Sequence, residues 1–142
     1  MLSTCSCNNN ALTTINLSSN ELEADFGKML ADTLHKNISL ISLDLSNNGL
    51  GYSEVEPIAD SLIKNNTLIY LSLLYNGIGS LKGKVLANAI YSNTMLTTLN
   101  LRDLSYNEFD YIVKELICKN SGITKSETIN LSDSEDFASY GD

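Results

Sequence analysis

One phrase recurs along this chain with a 28-residue period. Leu12, Leu40, Leu68 and Leu96 keep that interval, and so do Leu17, Leu45, Leu73 and Leu101. Asn20, Asn48 and Asn76 follow it, as do Asn37, Asn65 and Asn93. Between them run three further columns: Leu30, Ile58 and Leu86; Ala31, Ala59 and Ala87; Leu34, Leu62 and Ile90. Columns that hold phase this long require one local structure, repeated and stacked on itself. The chain is a repeat protein.

Each period carries two hydrophobic rhythms. In "LISLDL" (40–45), Leu43 and Leu45 are two apart, so both leave the same face of a short strand. Later in the unit, the spacing of Ile58, Ala59 and Leu62 lays them along one helical face. "NGL" (48–50) and "NGI" (76–78) supply the turn between the halves. Each unit therefore reads strand, turn, helix. Strands are expected near 15–17, 43–45, 71–73, 99–101 and 129–131, with four helices between them. A single unit buries too little to offset the entropy of ordering it, and stacking closes its open flanks.

These residues resemble the leucine-rich repeat, whose pattern L-x-x-L-x-L-x-x-N-x-L is met by Leu40, Leu43, Leu45, Asn48 and Leu50. Leu68, Leu71, Leu73, Asn76 and Ile78 meet it again, and Leu12, Ile15, Leu17, Asn20 and Leu22 do so with one conservative change. The 28-residue period, with a helix in every unit, is similar to the ribonuclease-inhibitor subclass, as is "GKVLANAIYSNTML" at 83–96. The resemblance implies an α/β solenoid, a right-handed β-α superhelix with a parallel sheet on its concave side and helices on its convex side. It also implies that Asn20, Asn48 and Asn76 form a ladder, their amides pairing backbone groups of adjacent buried turns. Asn65, in the link after a helix, is expected to matter less if it only caps that helix.

The resemblance covers about residues 11–131, roughly four and a half repeats, preceded by a lead-in at 1–10 and followed by an acidic tail at 132–142. The fourth repeat, "LTTLNLRDLSYNEFD", has Leu104 where asparagine is due and Asn107 three residues late. Either the strand bulges by three residues, the preferred reading, or Asp103 stands in for the turn asparagine. The fifth strand, "ETINLSD", has Ser126 and Ser134 in place of leucine and asparagine, as a decaying terminal repeat would. Little sequence precedes the first repeat. Its thin cover points to a homodimer or larger assembly, to a longer parent chain, or to a marginal edge.

Composition narrows the function. A length of 142 residues, 43% hydrophobic, fits one ordered domain. The net charge of −8 opposes nonspecific binding to nucleic acid or anionic membrane. Cys5, Cys7 and Cys118 are no disulfide framework, and the lone C-x-C has no second pair at metal-ligand spacing. No metal or cofactor is expected. Neither a signal peptide nor a membrane-length apolar run is visible. The expected location is the cytoplasm, or a host cell reached by a route that needs no Sec signal.

Residues alternating with the buried leucines line the concave sheet: Thr14, Asn16, Ser18, Ser42, Asp44, Ser46, Tyr70, Ser72, Leu74, Thr98 and Asn100. Most are small and polar, as on any exposed strand face. The third and fourth repeats differ, gathering Tyr70, Leu74, Tyr75, Arg102 and Tyr106. Tyrosine and arginine dominate binding hot spots, so these five residues are the candidate partner-binding patch. The plainer alternative is that Tyr75 and Tyr106 only cover adjacent turns. No catalytic residues are assigned. His35, the sole histidine, sits near a helix end, and no serine has a triad arrangement. "GIGSLKGK" lacks phosphate-loop spacing. Glu54 and Glu56 read as solvated charges at a helix start.

The resulting expectation is a non-enzymatic module that binds an unidentified protein through its concave face. Two other readings stay open. Repeats followed by an acidic tail resemble the Ran GTPase activators, with Arg102 the sole arginine, although those carry far more repeats. A short array also resembles the C-terminal domain of the actin-capping tropomodulins, although nothing here matches their actin-binding helices.

Overall fold

The computed structural model describes residues 10–22, 25–101 and 129–130. Along them run β1 (Thr14–Asn16), α1 (Phe26–Lys36), β2 (Ser42–Asp44), α2 (Gly51–Lys64), β3 (Tyr70–Ser72), α3 (Ser80–Ser92), β4 (Thr98–Asn100) and β5 (Ile129–Asn130). The five strands form one parallel sheet in chain order. Strands paired side by side in chain order, with a helix between successive strands from β1 to β4, make a solenoid.

Register follows the sequence period. Ile15 pairs with Leu43, Leu43 with Leu71, and Leu71 with Leu99, each one full period further on. Leu99 then pairs with Ile129, and not with Glu127, where the period would fall. The fourth unit is thus longer than the others by two positions, as measured between strands. The segment that sets this difference, 102–128, lies outside the described residues, and so do the expected fourth helix, Asp103 and Asn107. The three cysteines and the tail lie outside them too.

The core fills from both halves of each unit. Leu43, Leu45, Leu71 and Leu73 come from the sheet and its exits, and Val55, Ile58, Ala59, Leu62, Leu86 and Ala87 come from the helices. The spacings read from sequence pick out these same faces. From the first repeat, α1 adds Leu30 and Leu34 to this core, whereas Ile15, Leu17, Leu22 and Phe26 are only partly buried against it.

Helix contacts show a device that periodicity does not reveal. Asp25, ahead of α1, makes no side-chain cap. The Gly27 N–H instead donates to Glu54 Oε2 of α2 at 2.7 Å. A Cβ on Gly27 would lie 2.5 Å from the Glu54 carbonyl oxygen, so only glycine allows the helices this close. Glu54 is therefore buried, not solvated, and places its charge at the start of the preceding repeat's helix. One period later stands Lys82, also buried, whose ammonium pairs with Glu56. Glu56 does stay largely in water.

Candidate binding surface

Two columns of asparagine fix the turns that present the surface. On the strand-exit side, Asn48 Nδ2 donates to the Leu17 and Leu45 carbonyls at 2.9 and 2.8 Å, and its Oδ1 accepts from Asn20 N–H at 2.8 Å. Asn76 repeats the arrangement, donating to Leu45 O at 3.0 Å and accepting from Asn48 N–H at 3.1 Å. Asn20 differs. It is exposed, and its amide reaches the Ser18 carbonyl of its own turn at 3.1 Å.

The helix-exit column does more than cap. Asn65 Nδ2 donates to Leu34 O of the previous helix at 2.9 Å, while its Oδ1 accepts from Thr67 and Leu68 N–H at 3.1 and 2.8 Å. Asn93 donates to Leu62 O and Asn65 O at 2.6 and 2.9 Å and accepts from Met95 and Leu96 N–H. Sequence reasoning ranked Asn65 below Asn48. The geometry gives both a buried amide that bonds across repeats.

Between these columns the concave face is pleated as expected, but its residues are not equally open. Tyr70, Ser42, Asp44 and Leu74 are half-buried, and Ser72 is buried, with its hydroxyl 2.8 Å from that of Ser46. Asp44 Oδ1 accepts from Ser46 N–H at 2.9 Å and from the Ser46 hydroxyl, as Asn16 Oδ1 accepts from Ser18 N–H and Oγ one repeat earlier. Side chains committed to their own turns in this way leave the larger groups to face outward.

Those larger groups divide. Leu74 and Tyr75 follow β3 and line an open groove of about 640 Å³ with Ser18, Ser19, Asp44, Ser46 and Asn47. Tyr70 opens β3 and is not part of that lining. The groove joins the third repeat to the first two. Arg102 and Tyr106 lie outside the described residues.

Tyr75 has an unusual backbone. Ser19, Asn47 and Tyr75 occupy the same place in successive repeats and have φ of 57°, 55° and 54°. The left-handed region suits glycine and asparagine and costs a bulky L-residue about 1–2 kcal/mol. A tyrosine held there, 40% exposed at the groove's edge, is a choice that architecture does not demand. His35 is exposed, and among the described residues no cluster of His, Cys, Asp or Glu could hold a metal. No described helix is long and apolar enough to cross a membrane.

Known proteins bear on the architecture at this point. Residues 36–59, which run from the end of α1 through β2 into α2, match a family model described as Leucine Rich repeat. The fold is a leucine-rich-repeat-type solenoid. Among solved structures, the tropomodulin C-terminal domain from Caenorhabditis elegans is similar at 8% identity and a TM-score of 0.48, over 82% of this chain and 86% of that one. No curated protein sequence matches significantly.

Proposed function

We propose that this chain is a non-enzymatic interaction module of the ribonuclease-inhibitor-like subclass, and that it binds a partner protein through the concave face and the groove at its strand exits. The 28-residue period, with helices of 11, 14 and 13 residues in successive units, supports the subclass. Tyr75 carries the functional reading: a large aromatic in a left-handed turn, where the sister repeats place Ser19 and Asn47, beside Leu74 on an open groove. Backbone strain kept at an exposed aromatic favours a binding role over a folding one. Tyr70 extends the surface along β3, and Arg102 and Tyr106 belong to the same proposal. Asn48 and Asn76 act as its structural support, and Asn20 is the exposed edge of the same column.

The test starts with affinity capture of the partner from native lysate, followed by titration calorimetry on variants. Tyr75→Ala, Tyr70→Ala and Arg102→Ala should each weaken the complex by about 2 kcal/mol, and Ser42→Ala by less than about 0.5 kcal/mol. Unchanged affinity in the three large-residue variants, with circular dichroism intact, would move the site elsewhere on the molecule.

A further inference from the structure

The rim where helices end and strands begin is apolar in a way the core does not explain. Ile38, Ile41, Ile63, Ile69, Tyr91 and Met95 all lie there exposed, six of the large apolar side chains the described fold leaves in water. Ile63 and Tyr91 stand one period apart in the last turns of α2 and α3, so they occupy the same place in adjacent units. Ile41 and Ile69 precede β2 and β3, and Ile69 N–H donates to the Ile41 carbonyl at 2.8 Å, which sets the two residues side by side. The groups form a band along the stack.

The repeats supply their own control. Where Ile41 and Ile69 stand, the first and fourth units have Thr13 and Thr97. Where Ile63 and Tyr91 stand, the first helix has His35, and the positions equivalent to Ile38 hold Asn66 and Thr94. The same fold therefore accepts a polar side chain at each place. Burial did not select these residues, and clustered exposed apolar groups mark contact surfaces.

Charge indicates what would cover them. Within 35–41, 63–69 and 91–97 the charged side chains are Lys36 and Lys64, with His35 beside them, and there is no carboxylate. Both lysines are exposed, in a chain whose net charge is −8. Asp32 and Asp60 stand one helical turn back on α1 and α2. A second copy meeting this rim through a two-fold axis would set lysines against lysines. We infer that the rim is a second docking surface, separate from the concave face, and that it takes a protein segment presenting large apolar side chains flanked by carboxylates.

The test uses a displayed library of random 12-residue peptides selected on the immobilised full chain. Enriched peptides should combine Leu, Ile, Phe or Trp with Asp or Glu. The Ile41→Thr/Ile69→Thr variant takes residues that the first and fourth units already carry, so it should fold, and circular dichroism checks that it does. It should weaken a synthetic copy of the best peptide about tenfold or more, and Lys36→Glu/Lys64→Glu should do likewise. Tyr75→Ala should leave that peptide unchanged. Several results would overturn the inference: no enrichment, enrichment without acidic residues, or binding that survives the threonine variant. So would rim-dependent dimerisation in sedimentation, or rim-dependent flotation with phosphatidylserine vesicles. Enriched peptides that are instead lost in Tyr75→Ala would sink the second surface and leave the concave-face reading standing.

Discussion

Leu12 and Leu40 are the same letter of the same phrase, yet one is 48% exposed and the other 2%. Asn20 and Asn48 differ in the same sense, the first in water and the second buried between turns. The first unit has a neighbour on one side among the described residues, whereas the second is flanked on both. A residue's worth in such an array is set by what stacks against it as much as by its identity.

The sharpest way to break this comparison is with leucine. Leu40→Ala should cost about 2–5 kcal/mol, because the cavity is enclosed, and Leu12→Ala less than about 1 kcal/mol. Urea midpoints decide the matter, and equal losses would mean that the first unit is covered after all. Asparagine comes next. Asn48→Ala and Asn65→Ala should each cost about 2–4 kcal/mol through unpaired buried backbone groups, within about 1 kcal/mol of each other. Asn20→Ala should cost no more than about 0.5 kcal/mol. A mild Asn65 variant beside a severe Asn48 variant would restore the reading of Asn65 as a simple cap.

The smallest effect has the opposite sign. Glu21 holds φ 48° where Gly49 and Gly77 hold 62° and 63°. Glu21→Gly should therefore stabilise the protein by about 0.5–1 kcal/mol, the left-handed strain relieved less the added freedom of the unfolded chain. Tyr75→Gly should gain a similar amount while losing the partner. A differential thermal melt of both variants reads the gains, and a loss of stability in Tyr75→Gly would show that the ring supports the fold.

Much of the architecture was legible because the period is strict. Strand centres, register and the inward faces of α2 and α3 follow directly from columns such as Leu43/Leu71/Leu99 and Ile58/Leu86. The reach of Asn65 was hidden, because a helix-end asparagine suggests a bond to its own helix and not to Leu34. The burial of Glu54 is hidden for a related reason: its partner, Gly27, belongs to the previous phrase, and one period on that position holds Val55, so no steady column marks it. Alternation placed Tyr70 and Leu74 on one face, but it could not tell that Leu74 lines the groove and Tyr70 does not, nor that Ser72 is covered. The apolar rim escaped notice because its members occupy different columns and meet only when the units are stacked.

The bonds that these asparagine side chains make between repeats all face one way. Asn48 serves Leu17 and Asn20, Asn76 serves Leu45 and Asn48, Asn65 serves Leu34, and Asn93 serves Leu62 and Asn65. Glu54 likewise reaches back to Gly27. Among the described residues, each later unit finishes the one before it. Shortening the array is therefore not symmetrical. Removal of a leading unit turns the amides of the next one toward water, which satisfies them. Removal of a trailing unit instead turns peptide groups of its predecessor toward water, which satisfies them as well. A leading edge thus shows water its side-chain amides and a trailing edge shows it backbone, so a cap shaped for one end does not fit the other.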